Sequence, residues 1–157
     1  MSEWYAPNRE IIKNLSINTG SSPEAVWTPI CTLSEASINY DFNQSDFYTF
    51  CDAIQRSVIT GVAMTIEATV KIDVNNAAIM QLIGDVASLI ENGTISQFNN
   101  KTFRFELLTE VKSGVLTYTK YEVPCVMQLE SLGGAAEDEG EFALTLTING
   151  KGTVISA

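Results

Sequence analysis

The side chains in this sequence that could do chemistry are carboxylates. Nineteen Asp and Glu stand against nine Lys and Arg, and histidine is absent. An imidazole base, a Cys–His nucleophile and every histidine-containing metal site are therefore excluded. The densest acidic run, Glu137-Asp138-Glu139, is consecutive and is followed by Gly140. Consecutive side chains on a loop project in different directions, so the run reads as a solvated loop tip and not as an acid/base pair. It also lacks the alternating oxygen ligands of a calcium loop. Gly133-Gly134 does not open a helix, which argues against a phosphate cradle. No G-x-S-x-G, Walker-type or dinucleotide fingerprint occurs. Cys31, Cys51 and Cys125 form neither a C-x-x-C pair nor an even disulfide set, and read as small semi-buried free thiols. The residue types predict no enzyme, no metal site and no cofactor.

The elements that position these side chains come next. A chain of 157 residues has room for one sizeable core. Its net charge of −10 excludes nucleic-acid binding through a phosphate-neutralising patch of Lys and Arg. The longest apolar stretch, 77–90, is broken by Gln81, Gly84, Asp85 and Ser88, so no stable membrane association is expected. Residues 1–10 show no periodicity and read as an arm, with a single β domain over 11–157.

Within that domain, 11–18 and 25–32 read as a hairpin across the turn formers of 19–23. In 33–42, Ala36, Ile38, Tyr40 and Phe42 alternate with Glu35, Ser37, Asn39 and Asp41, the pattern of a half-buried strand. Residues 43–57 lack a clean period and read as a long structured connection carrying Phe47, Tyr48 and Phe50 among Asp46, Asp52 and Arg56. The strongest strand signal is 58–73, where Val58, Thr60, Val62, Met64, Ile66, Ala68, Val70 and Ile72 form one row. Thr65, Glu67, Thr69, Lys71 and Asp73 belong to the other row, small and mostly polar. Such a strand would span about 50 Å, far beyond the usual 17–20 Å, which suggests a sheet that continues past one subunit.

The period then changes to helical. Ile79, Leu82, Ile83, Val86, Leu89 and Ile90 make one apolar stripe, with Asp73 or Asn75 as the cap and Asn92-Gly93 as the stop. The remainder alternates again in 102–107, 115–126 and 141–148, with a final short strand near 153–155. The expected fold is mainly β with one α-helix: a β-sandwich or partly open barrel with the helix packed against it. The polar rows Glu35, Ser37, Asn39, Asp41 and Thr65, Glu67, Thr69, Lys71, Asp73 read either as an ordinary solvent face or as the wall of an acidic pore built by several subunits.

Four stretches together resemble the tail tube proteins of long-tailed bacteriophages, especially siphophages of Gram-positive hosts. They are Ser16–Gly20 with Trp27-Thr28-Pro29-Ile30; Ser45-Asp46-Phe47-Tyr48; Gly61–Val70 leading to Asp85-Val86-Ala87; and Gly133-Gly134 through Glu141-Phe142 to Ile148–Thr153. The resemblance lies in their order, spacing and length, over roughly residues 11–154. The family's Gly-rich run after the aromatic segment is here Cys51–Arg56, and the ten-residue arm is another departure. The resemblance implies hexameric rings stacked into a hollow tube, each copy contributing long strands to an oligomeric inner β-barrel, in a virion or a headless tailocin particle made in the bacterial cytoplasm. It implies an acidic lumen lined by the two polar rows, through which DNA passes without specific binding. The implied partners are further copies of the chain, a tape measure protein in the lumen, and tail terminator and tip proteins. Inter-ring contacts are expected from Trp4, Tyr5, Asp46, Phe47, Tyr48, Phe50 and Arg56. The alternative reading is a monomeric β-sandwich module whose ligand face would combine Trp27, Tyr48 and Phe50.

Overall fold

The computed structural model of the chain describes residues 7–18, 26–99 and 101–155. Eight strands form one antiparallel sheet: β1 Ile12–Asn18, β2 Trp27–Pro29, β3 Leu33–Thr49, β4 Asp52–Lys71, β5 Lys101–Lys112, β6 Val115–Glu130, β7 Glu141–Ile148 and β8 Thr153–Val154. The spatial order is β2-β1-β5-β6-β7-β4-β3, with β8 beside β6. Seven strands laid flat would put the two edges about 29 Å apart. Yet β2 and β3 are joined by residues 30–32 alone, a reach of about 14 Å. Within that link Ile30 N–H donates to Leu15 of β1 at 2.8 Å, while Thr32 accepts from Lys71 of β4 at 3.0 Å. The sheet is therefore curled into a partly open barrel, closed at this end by the link.

The rows that alternate in sequence bury on one face of the curl. Ile66, Ala68 and Val70 of β4 meet Phe142, Leu144 and Leu146 of β7, Val123, Cys125 and Met127 of β6, and Phe103 and Phe105 of β5. Helix α1, Ala77–Asn92, adds Ala78, Ile79 and Leu82 to the same core. The cap is Asn76, whose side chain accepts from the backbone N–H of Ala78 and Ile79; it is not Asp73 or Asn75. Asp73 instead accepts from Asn75 N–H one turn earlier, bending the chain into the helix. Gly93, at φ 66°, ends α1 through its N–H to Leu89. A second, four-residue helix α2, Ser96–Asn99, follows. Gln97 ties it back by donating to the Asp85 carbonyl at 3.1 Å, and Lys101 pairs with the Asp85 carboxylate at 2.7 Å.

The segment 43–57, expected to be a connection, is strand. β3 has 17 residues and β4 has 20, paired from Leu33↔Val70 to Thr49↔Asp52 around a two-residue turn, Phe50-Cys51. Its missing period has a local cause. The register shifts between Asn43 and Gln44, so Ile59 instead of Thr60 stands opposite Gln44, and it shifts again near the tip. Each such bulge reverses the phase of the alternation that a sequence reading follows.

Candidate functional site

Two features of the β3–β4 hairpin carry functional potential: a polar face at its base and an apolar ribbon beyond it. At the base, the cross-strand pairs are Glu35↔Thr69, Ser37↔Glu67, Asn39↔Thr65 and Asp41↔Ala63. β7 extends that face through Thr65↔Thr147, Glu67↔Thr145 and Lys71↔Glu141, and β6 through Gln128↔Thr145 and Glu130↔Ala143. Eight of the nine residues of the expected lumen rows are thus brought onto one face. Asp73 is not; it lies past the end of β4, in the turn that precedes α1. Glu130, Gln128, Thr145 and Glu141 join the face although the sequence reading did not assign them to it. The alternation Phe142, Leu144, Leu146 against Glu141, Thr145, Thr147 was visible; which strand stood beside it was not.

Lys71 is the single base on this part of the face, and its ammonium sits 2.8 Å from Glu141 and 4.0 Å from Glu139. The Glu141 hydrogen bond and charge raise the Lys71 pKa above its ordinary value, so the base stays charged and is matched within its own acids. Glu35, Asp41, Glu67 and Glu130 then set the sign of the face. An open trough of about 1010 Å³ runs over part of it, with Glu35, Ser37, Glu67, Thr69 and Glu130 in its walls, and the basic Arg9 and Lys13 at its β1 side.

Beyond Met64 the hairpin leaves the sheet, because β7 reaches no further along β4 than Thr65. The apolar row continues, with nothing of the described chain over it: Tyr40, Phe42, Val62 and Ile59 are exposed, Phe42 at 57%. Tyr40 and Phe42 stack with ring centroids 6.2 Å apart. Both were expected on the buried face of a half-buried strand. Their row is the core row, but at Tyr40 and Phe42 no element of the described chain covers it. Asp46 bridges the ribbon's two strands by accepting from Ser57 of β4 at 2.6 Å, and also accepts from Gln44 on its own strand at 3.3 Å. Phe47, Tyr48 and Phe50 are exposed near the tip, where Arg56 stands opposite Phe47. Trp4 and Tyr5 lie outside the described residues.

Trp27 is elsewhere. It lies half-buried in β2 with the Arg104 guanidinium 4.0 Å over its ring, and Arg104 in turn pairs with Glu122 at 3.0 Å. Tyr48 is fifteen strand residues along from Leu33, about 50 Å. The ligand face that would combine Trp27, Tyr48 and Phe50 is therefore not assembled within one copy. On α1, Ile79 and Leu82 are buried, Ile83 and Val86 half-buried, and Leu89 and Ile90 exposed, the latter at 80%. The last turn of the stripe is thus uncovered by the described chain. Cys31 and Cys51 are exposed, against the semi-buried expectation, and only Cys125 lies in the core. Burial pushes its thiol up to about 12.

By sequence the chain matches no protein-family model and no curated protein. By structure it is similar to a chain from the C6-symmetric tail of an empty gene transfer agent particle, with a TM-score of 0.60 at 8% identity, covering 97% of this chain and 100% of that one. The SPP1 tail tube is similar at TM-score 0.55 and 12% identity, over 90% of this chain and 74% of that chain. A chain of the sheath–tube complex of the PVC extracellular contractile injection system gives TM-score 0.54 at 12% identity, over 99% and 94%. The fold is that of tail tube proteins.

Proposed function

We propose that this chain is the building block of a tail tube: a structural, non-enzymatic protein that assembles into hexameric rings stacked as a hollow conduit. The observation that carries the reading is the β3–β4 ribbon. A two-stranded hairpin is at best marginally stable alone in water, and this one exposes its apolar row. The outer edge of β3 has no strand partner over its 17 residues among those described, and no proline or lysine protects it. A free edge of that length beside an uncovered apolar face is a contact surface for further copies. The fold shared with tail tubes supports the same reading, and the C6 symmetry of the gene transfer agent tail supports six copies per ring.

In this assembly the base of the hairpin forms the inner wall. Glu35, Ser37, Asn39, Asp41, Thr65, Glu67 and Thr69 line the lumen, with Lys71 neutralised by Glu141, and Glu130 is added to the set. The wall repels phosphate, so DNA passes without the counterion release that rewards binding. Asp46, Phe47, Tyr48, Phe50 and Arg56, with the arm that contains Trp4 and Tyr5, make contacts between rings. A tape measure protein occupies the lumen during assembly, terminator and tip proteins close the ends, and the particle is a virion or a tailocin. Electron microscopy of the purified chain tests the reading. Six-fold rings or tubes with residues 35, 67 and 69 facing the bore are expected; a monomer at all concentrations, or those residues on the outer surface, would overturn it.

A further inference from the structure

The chain after β7 follows an unusual course. Over Glu141–Ile148, β7 pairs with β4 on one side and β6 on the other. Past that point its two neighbours part, β4 toward the ribbon tip and β6 toward Val115, and the chain stays with β6. Asn149 N–H donates to Pro124 at 2.8 Å, Thr153 and Val154 stand opposite Glu122 and Tyr121, and Ile155 N–H donates to Lys120 at 2.9 Å. Two glycines allow this close approach. Gly150 has φ +136°, and a Cβ on residue 152 would lie 2.9 Å from the Val123 side chain. The backbone is thus pressed against β6, yet the side chains bury little: Thr153 and Val154 are exposed, Val154 at 62%. An element held at a sheet edge by backbone bonds, with almost no apolar cover, opens at low cost relative to the core.

We propose that β8 is a displaceable strap: it occupies the edge of β6 that a strand of a second copy takes during assembly. The complementary edge on that second copy is the outer side of β3. β2 offers only three residues and ends in Pro29, which has no N–H to pair. Pairing β6 of one copy with β3 of the next joins two different surfaces, a head-to-tail contact of the kind that closes into rings. While β8 stays in place, strand addition is blocked along Lys120–Pro124, which keeps newly made chains apart. The inference rests on the tube reading.

The test compares the full chain with a truncation after Gly152 and with Ile155→Pro, which removes the N–H that bonds to Lys120. The critical concentration for assembly, read by sedimentation and electron microscopy, is expected to fall at least tenfold in both variants. Hydrogen exchange of the full chain should show the Ile155 amide protected before assembly and unprotected after it. An unchanged or raised critical concentration, or an Ile155 amide equally protected in the assembled particle, overturns the strap and leaves the tube reading standing. If the full chain forms neither rings nor tubes, rings or tubes of the two variants support both the strap and the tube reading, and variants that remain monomers overturn both. Ile155→Pro retains every core side chain, so it decides the matter if the truncation lowers the melting temperature.

Discussion

Phe42→Ala on the ribbon separates the contact role of the apolar row from any role in the fold. In one copy Phe42 is 57% exposed and stands opposite Val62, itself 44% exposed. A phenylalanine carries roughly 200 Å² of accessible surface, so about 110 Å² remains to be covered by a neighbour. At about 25 cal/mol per Å², covering it contributes about 2.8 kcal/mol, of which truncation to alanine forfeits about 2 kcal/mol. Each subunit added to a tube loses that amount once, and about 1.4 kcal/mol corresponds to a factor of ten. The critical concentration should therefore rise roughly 30-fold. The assay is sedimentation across a dilution series, with tubes counted by electron microscopy. The unassembled chain should keep its melting temperature to within about 2 °C, because the side chain has little internal cover to lose. A variant that polymerises at the native concentration would refute the claim that the ribbon's apolar row is covered by other copies. A variant that unfolds in dilute solution would refute the claim that Phe42 lies outside the buried part of its row.

Other perturbations probe the scaffold. Leu82 of α1 is fully buried against the sheet, and Leu82→Ala should cost about 2–5 kcal/mol in urea unfolding of the unassembled chain. Asn76→Ala removes the cap that accepts from Ala78 and Ile79, together with the donation to Pro29 at 3.1 Å; a loss of about 1 kcal/mol is expected by the same measurement. Glu10 accepts from Lys13 and from the Tyr118 hydroxyl, which hold its carboxyl below the ordinary 4.5. A depressed carboxylate contributes above its unfolded pKa and loses that contribution as the pH falls through the folded value. The small melting-temperature gap between the native chain and Glu10→Gln at pH 7 should therefore narrow as the pH falls below 4.5. With its thiol pushed up to about 12 by burial, Cys125 should resist alkylation in the folded chain, while the exposed Cys31 and Cys51 react; mass spectrometry after brief labelling at pH 8 reads this out.

The parts of the fold that were legible are those written in short-range periodicity. The alternation of Ile66, Ala68 and Val70, the stripe beginning at Ile79, and the Asn92-Gly93 stop each depend on residues within one or two turns or pleats. Segment 43–57 was illegible because its bulges reverse the phase, and because Phe47 and Tyr48 are exposed on a strand where burial is the usual signal. Tyr40 and Phe42 misled for the opposite reason. They follow the core pattern faithfully, but the pattern does not say whether the cover belongs to the same chain. The polar row was readable strand by strand, while Glu130 and Gln128 joined it only through the placement of β6 beside β7.

Composition alone determined that no imidazole chemistry operates in this sequence, since that depends only on which side chains exist. Alternation determined that β4 is long and two-faced. Tertiary structure decided that β4 and β3 run past the sheet as a ribbon, that Lys71 answers to Glu141, and that the chain turns at Asn149 to lie along β6. Those outcomes depend on contacts between residues tens of positions apart or on where a neighbouring strand stops, and no local pattern encodes either.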